Sequence, residues 1–87
     1  PPQGRYRCAD QSQNLLTGWV TVVSKYEYAL PTGNPGRYHY DDEEAKVFFD
    51  TGALGGGQAE FKISEEGRVL TLFTAEGAKR VCRWEGQ

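Results

Sequence analysis

The length and charge of the chain set the first limits on its architecture and its function. Its 87 residues leave room for one hydrophobic core, so we expect a single domain over residues 1–87. Ten basic and twelve acidic residues give a formal net charge of −2, which argues against strong, sequence-independent binding to phosphate backbones. Weak RNA binding through a local basic patch stays open, and no segment is apolar enough to predict a membrane span.

Cys8 and Cys82, one near each end of the chain, are its two cysteines. With one histidine and no Cys-x-x-Cys motif, neither a structural metal site nor a cofactor is expected. A disulfide fits better and indicates an oxidising compartment, and two buried free thiols in a cytosolic protein are the alternative. The chain begins at Pro1 without a signal-like apolar segment, so we expect a secreted protein whose signal has been removed.

One helix is predicted after a first short strand at residues 5–8, where charged and apolar positions alternate. Apolar residues then recur at helical spacing at Leu16, Trp19, Val20, Val23 and Tyr26. This spacing predicts a single amphipathic helix within residues 15–28. Residues 20–23 are rich in β-branched side chains and Gly18 would weaken a helix, so a strand is the alternative.

Strands are expected beyond residues 30–36, where two prolines and two glycines end the preceding element and form a surface loop. Tyr38 and Tyr40 share one face of a predicted strand, and residues 46–50 alternate in the same way. The four acids at residues 41–44 predict a solvated turn between these two strands.

The last third of the sequence predicts three further strands. Residues 60–63 and 69–73 form a predicted hairpin, and the second of them is apolar on both faces, which is typical of a central, buried strand. Residues 80–84 predict the final strand, which the disulfide ties to the first. The expected fold is α+β, with one α-helix packed on an antiparallel sheet of four to five strands and a short N-terminal strand.

Several short motifs resemble the small fungal guanyl-specific ribonucleases in order and spacing. They are residues 57–64, the Glu66-Gly67 turn, the apolar strand, residues 74–78, residues 35–38 and the terminal Cys82. The run Tyr6-Arg7-Cys8, paired with a cysteine near the C-terminus, is similar to a subgroup, the ribonuclease-like secreted effectors of powdery mildew fungi. The resemblance implies a microbial ribonuclease fold and delivery into a plant host cell.

Catalysis is not expected from the residues that the resemblance places in the ribonuclease site. The two catalytic histidines of that family fall on Gly36 and Ala75, and its arginine falls on Glu60, whose carboxylate would repel an RNA phosphate. We therefore expect a pseudoenzyme. The alternative is a diverged active ribonuclease that uses His39 and a glutamate from the acidic run at residues 41–44 to cleave single-stranded RNA.

The expected function is that of an effector or avirulence protein that binds a host component. The resemblance implies a host plant protein as partner, with recognition by an intracellular nucleotide-binding leucine-rich-repeat immune receptor, and leaves weak RNA binding open. A plain RNA-binding module is a further alternative. We expect a monomer without membrane contact, and the candidate binding residues are Arg37, Tyr38, His39, Lys79 and Arg80.

Overall fold

The computed structural model of the protein is an eight-stranded antiparallel β-barrel that closes on itself. It describes residues 1–9, 18–31, 33–65 and 67–86. The strands are β1 (Gly4–Ala9), β2 (Trp19–Val22), β3 (Glu27–Ala29), β4 (Gly36–Asp41), β5 (Lys46–Phe49), β6 (Gln58–Ser64), β7 (Gly67–Phe73) and β8 (Lys79–Gly86). Each strand pairs with its neighbours in sequence, and β8 returns to pair with β1.

The predicted helix within residues 15–28 is wrong, and the strand alternative is correct for its described part. Residues 19–22 form β2, in which Val20 and Val22 are buried while Trp19 and Thr21 face outward. Val23 and Tyr26, which the helix would have buried, are 46% and 57% exposed. β-branched side chains at consecutive positions favour the pleated backbone over a helix. Leu16 lies outside the described residues.

The predicted α+β class is wrong as well, because the described residues contain eight strands and no helix. The strand predicted at residues 69–73 is confirmed as part of β7. The prediction that it is a central strand buried on both faces is wrong. In a closed barrel each strand has one inner and one outer face. Leu70 and Leu72 therefore fill the interior, whereas Val69 and Phe73 lie outside, with Phe73 36% exposed.

The barrel interior is filled by alternate side chains of all eight strands. An eight-stranded barrel is just wide enough for this arrangement. The buried hydrophobic residues are Tyr6, Val20, Val22, Tyr28, Tyr38, Val47, Phe49, Ala59, Leu70, Leu72 and Cys82. Tyr38 and Val47 confirm the inward faces that alternation predicts for β4 and β5.

A disulfide joins Cys8 and Cys82 across the β1–β8 pairing, as the sequence predicts. The two residues are direct partners in the register of these strands, and Cys82 is fully buried. The bond therefore locks the seam at which the first and last strands close the barrel. It spans 74 residues of sequence, so it removes much conformational freedom from the unfolded chain.

Tyr28 holds the loop after β5 against the start of β4. Its hydroxyl donates to the Thr51 carbonyl oxygen at 2.6 Å and accepts from the Leu54 N–H at 2.9 Å. Its ring also packs directly on the backbone of Gly36, where a Cβ atom would lie 2.5 Å from two ring carbons and 2.6 Å from the Thr51 oxygen. The close contact with Tyr28 therefore explains why position 36 is a glycine, without reference to catalysis.

Removal of the disulfide should strongly destabilise the barrel. We expect the double variant Cys8→Ala/Cys82→Ala to lose about 4 kcal/mol of unfolding free energy, because loop closure in the unfolded chain is no longer restricted. Thermal denaturation followed by circular dichroism should show a fall in Tm of more than about 15 °C. A Tm close to that of the oxidised parent would contradict the role given to the seam.

Substitution of Gly36 tests the contact with Tyr28. We expect Gly36→Ala to cost roughly 1–3 kcal/mol, because the added methyl group meets a ring that is fixed by two hydrogen bonds. Urea denaturation measures this cost. Ala53→Gly, in the exposed part of the same loop, is the control for general loop sensitivity, and an unchanged midpoint in Gly36→Ala would exclude the close packing.

The buried tyrosines should make the protein sensitive to alkali. Burial raises the pKa of Tyr6, Tyr28 and Tyr38, whereas an unfolded tyrosine titrates near pH ~10. As the pH rises, the tyrosines of the unfolded state lose their protons first. The contribution of the buried, protonated tyrosines to the free energy of unfolding is therefore complete below pH ~10 and declines as the pH rises further. Urea midpoints should therefore fall between about pH 8 and pH 11. The urea midpoint of the variant Tyr6→Phe/Tyr28→Phe should fall less over that pH interval than the midpoint of the parent. An equal fall in both proteins would show that other groups cause the alkali sensitivity.

Candidate binding surfaces

A cleft of about 420 Å³ lies at the end of the barrel that carries the β2–β3 connection and the β4–β5 turn. We call it the tyrosine cleft. Its lining includes Lys25, Tyr26, Tyr38, His39, Tyr40 and Asp42. Its volume falls within the range of roughly 300–1,000 Å³ that is typical of small-molecule sites.

Hydrogen bonds from β4 fix the β2–β3 connection as one wall of this cleft. The Tyr38 hydroxyl donates to the Ser24 carbonyl oxygen at 2.6 Å, and the Tyr38 N–H donates to the Tyr26 carbonyl oxygen at 2.9 Å. The Tyr26 N–H in turn donates to Ser24 Oγ at 3.2 Å. The backbone of Tyr26 is therefore held in place while its ring remains exposed.

Three of the five predicted binding residues lie in or beside the cleft. Tyr38 and His39 line it, and the Arg37 guanidinium carbon lies 6.0 Å from the centroid of the Tyr26 ring. Tyr38 is buried, and its hydroxyl already donates to the Ser24 carbonyl oxygen in the wall of the cleft. Tyr38 therefore stabilises the shape of the cleft, and its hydroxyl proton is not available to a ligand. Arg37 is exposed on the outer face of β4.

His39 is held on the outer face of the barrel by two neighbours. Its Nδ1 lies 3.0 Å from both carboxylate oxygens of Asp50. Its ring stacks on Phe48 with a centroid separation of 5.2 Å. The carboxylate that orients His39 is thus Asp50, whereas the alternative of a diverged ribonuclease drew on the acids at residues 41–44.

The acids at residues 41–44 form the solvated turn that the sequence predicts. The Asp41 carboxylate accepts hydrogen bonds from the backbone N–H groups of Glu43 and Glu44 at 3.0 and 3.3 Å, and residues 42–44 are exposed. Burial, together with the carboxylates of Asp42 and Asp41, raises the pKa of the neighbouring Tyr40. The turn therefore concentrates negative charge, which Lys46 partly offsets with its Nζ 3.8 Å from Glu44 Oε1.

Lys79 and Arg80 lie at the opposite end, where β8 begins. Lys79 is exposed, whereas Arg80 is half-buried and donates from Nη1 to the Lys79 carbonyl oxygen at 3.0 Å. The five predicted residues therefore do not form one surface. The three positions assigned to a lost ribonuclease site are also dispersed: Gly36 is buried in β4, Glu60 is exposed on β6, and Ala75 lies in the turn after β7.

A second surface, not predicted from the sequence, lies on the outer side of β1, β2 and β8. The guanidinium carbons of Arg5 and Arg7 lie 4.8 and 5.8 Å from the centroid of the Trp19 ring. Arg83 is the direct neighbour of Arg7 across the seam, and the Arg7 Nε donates to Glu85 Oε2 at 2.8 Å. We call these residues the arginine–tryptophan face.

Charge is distributed unevenly around the barrel. Strands β1 and β8 together contain five basic residues and one acidic residue. The acidic turn at residues 41–44 connects β4 and β5, which lie directly across the closed barrel from β8 and β1. The net charge of −2 therefore conceals a basic side and an acidic side.

Two features are absent from the described residues. No group of three or more His, Cys, Asp or Glu side chains in these parts of the chain is placed to hold a metal ion. Within the same residues, no helix is long and apolar enough to cross a membrane.

Comparison with known proteins adds no relative. No protein-family model matches the chain, and neither a curated protein nor a solved structure does so. The two surfaces therefore rest on their own geometry and chemistry.

Proposed function

We propose that the protein is a small binding module that takes up single-stranded RNA on its arginine–tryptophan face. The observation that carries the proposal is the placement of two guanidinium groups, from Arg5 and Arg7, over one indole ring, that of Trp19. Interleaved cationic and aromatic side chains on one surface are the usual means of holding an unpaired strand.

Each component of the face matches one part of such a ligand. Guanidinium groups bind phosphate oxygens through paired hydrogen bonds, and they also stack on rings. An indole is a flat ring on which an unpaired base can stack, worth about 1–3 kcal/mol per base. A base that stacks on Trp19 would replace a guanidinium group that now lies over the ring and leave it free to bind phosphate. Arg5 and Arg7 are two residues apart on one strand, about 6.8 Å, so both can reach one short stretch of RNA.

The charge distribution favours an extended ligand on this side of the barrel. Phosphates bound on β1 and β8 would lie on the side of the closed barrel opposite β4 and β5, the strands that the acidic turn at residues 41–44 connects. The salt bridge from Arg7 to Glu85 is exposed on both sides, so it is weak and leaves the outer nitrogens of Arg7 available. With three arginines, affinity should be modest, on the order of 10⁻⁵ M at physiological salt.

The similarity to powdery mildew effectors stays a prediction. Secretion, binding to a plant host protein and recognition by an immune receptor also stay predictions. The ribonuclease fold which that resemblance implied is wrong, so it lends no support here. The RNA proposal rests on the surface alone and requires no catalytic group.

Fluorescence titration tests the proposal directly. A Trp84→Phe background leaves Trp19 as the single indole, and a single-stranded RNA of about 12 nucleotides is the ligand. We expect the RNA to quench Trp19 emission. The logarithm of the affinity should fall with the logarithm of salt concentration with a slope of about −2, since three phosphate contacts each contribute about −0.7.

A charge-matched pair of variants locates the binding surface. Arg5→Ala/Arg7→Ala should weaken binding by about tenfold or more, because two of the three phosphate contacts are lost. Arg37→Ala/Lys46→Ala removes the same charge from β4 and β5 and should change it little. Equal loss in both variants, no quenching by RNA, or equal quenching by an acidic peptide would overturn the proposal.

A further inference from the structure

The tyrosine cleft has a composition that differs from the arginine–tryptophan face and calls for a different ligand. Three of its lining residues are tyrosines and one is His39. Pro1 also lines the cleft, and Lys25 and Asp42 contribute side chains of opposite charge. The cleft therefore combines aromatic rings and hydroxyl groups with charges of both signs.

Tyr26 gives the cleft a fixed aromatic platform. Tyr26 is 57% exposed, and the Arg37 guanidinium carbon lies 6.0 Å from the centroid of its ring. Its backbone N–H and carbonyl are both hydrogen-bonded, to Ser24 and Tyr38. An aromatic ring that stays exposed on a rigid frame loses little conformational entropy when a ligand packs on it. Such a ring can stack on the flat apolar face of a ligand while neighbouring polar groups bind its edges.

The charged residues in and around the tyrosine cleft limit the class of ligand that it can bind. A polyanion is disfavoured because Asp42 belongs to the exposed acidic turn at residues 41–44, which repels phosphate or sulfate. A purely apolar ligand is disfavoured as well, because the ammonium group of Lys25 and the carboxylate of Asp42 would lose water without a partner. A ligand that is neutral, rich in hydroxyl groups and flat on one face satisfies both conditions.

We propose that the tyrosine cleft binds a neutral oligosaccharide, with one sugar ring stacked on Tyr26 and its hydroxyl groups bonded to Asp42 and Lys25. Pyranose rings present a flat C–H face that packs on aromatic rings and a rim of hydroxyls that donate and accept hydrogen bonds. This proposal rests on the cleft and not on the arginine–tryptophan face, so it stands or falls independently of RNA binding.

Titration by NMR with three neutral trisaccharides tests the proposal. Cellotriose, N,N′,N″-triacetylchitotriose and mannotriose are the probes, each added to the ¹⁵N-labelled protein up to about 10 mM, which still detects millimolar binding. We expect at least one of them to shift the backbone amide signals of residues 24–26 and 38–42 in a saturable way. The shifts should persist at high salt, in contrast to those caused by RNA.

Variants of Tyr26 supply the decisive comparison. Tyr26→Ala should weaken the binding by about fivefold or more, whereas Tyr26→Phe should retain most of it, because the ring supplies the stacking energy. Asp42→Asn tests the hydroxyl contacts and should also weaken binding. Phe73→Ala removes an exposed ring at the opposite end of the barrel and serves as the control, with Tm values verifying that each variant is folded.

Three outcomes would overturn the inference. They are the absence of saturable shifts with all three trisaccharides, binding that Tyr26→Ala leaves intact, and binding that Phe73→Ala reduces as much as Tyr26→Ala does. Loss of RNA binding in the arginine variants, with trisaccharide binding retained, would separate the two sites.

Discussion

The closure of β8 onto β1 is the constraint on which the rest of the structure depends. Successive hairpins account for the other seven pairings, but only the seam brings together the two ends of the chain. The Cys8–Cys82 bond fixes that seam, and the buried core exists because the sheet is closed around it. A domain of this size gains much from such a bond, since its core alone contributes limited stability.

The strands that could be predicted are those in which one face is apolar and the other polar. Residues 38–41 and 46–49 alternate clearly, and the inward faces expected for them are correct. The strand expected at residues 80–84 is part of β8. Residues 19–22 were misassigned because apolar side chains in this short segment satisfy both the helical period and the strand period. The β-branched composition and Gly18 favoured the strand. The strand β3, with three residues, is too short to produce a pattern of its own.

The two surfaces differ in how far sequence could predict them. Arg37, Tyr38 and His39 are consecutive on one strand, so the local sequence was enough to name three residues in or beside the tyrosine cleft, although it predicted no cleft. The arginine–tryptophan face combines β1, β2 and β8, and its residues become neighbours only once the barrel closes. The alternation of Arg5 and Arg7 in the sequence indicated that one face of β1 is basic. The sequence could place Trp19 next to these arginines only if residues 19–22 were recognised as a strand.

The seam also has a consequence for the solubility of the chain. A closed barrel has no unpaired strand at an edge, and edge strands are the sites from which sheets join between molecules. Reduction of the disulfide would allow β1 and β8 to separate, which would expose two edges at once. Because these two segments are complementary to each other, β1 of one molecule could pair with β8 of the next, so a reducing environment would favour open chains of exchanged strands over the monomer.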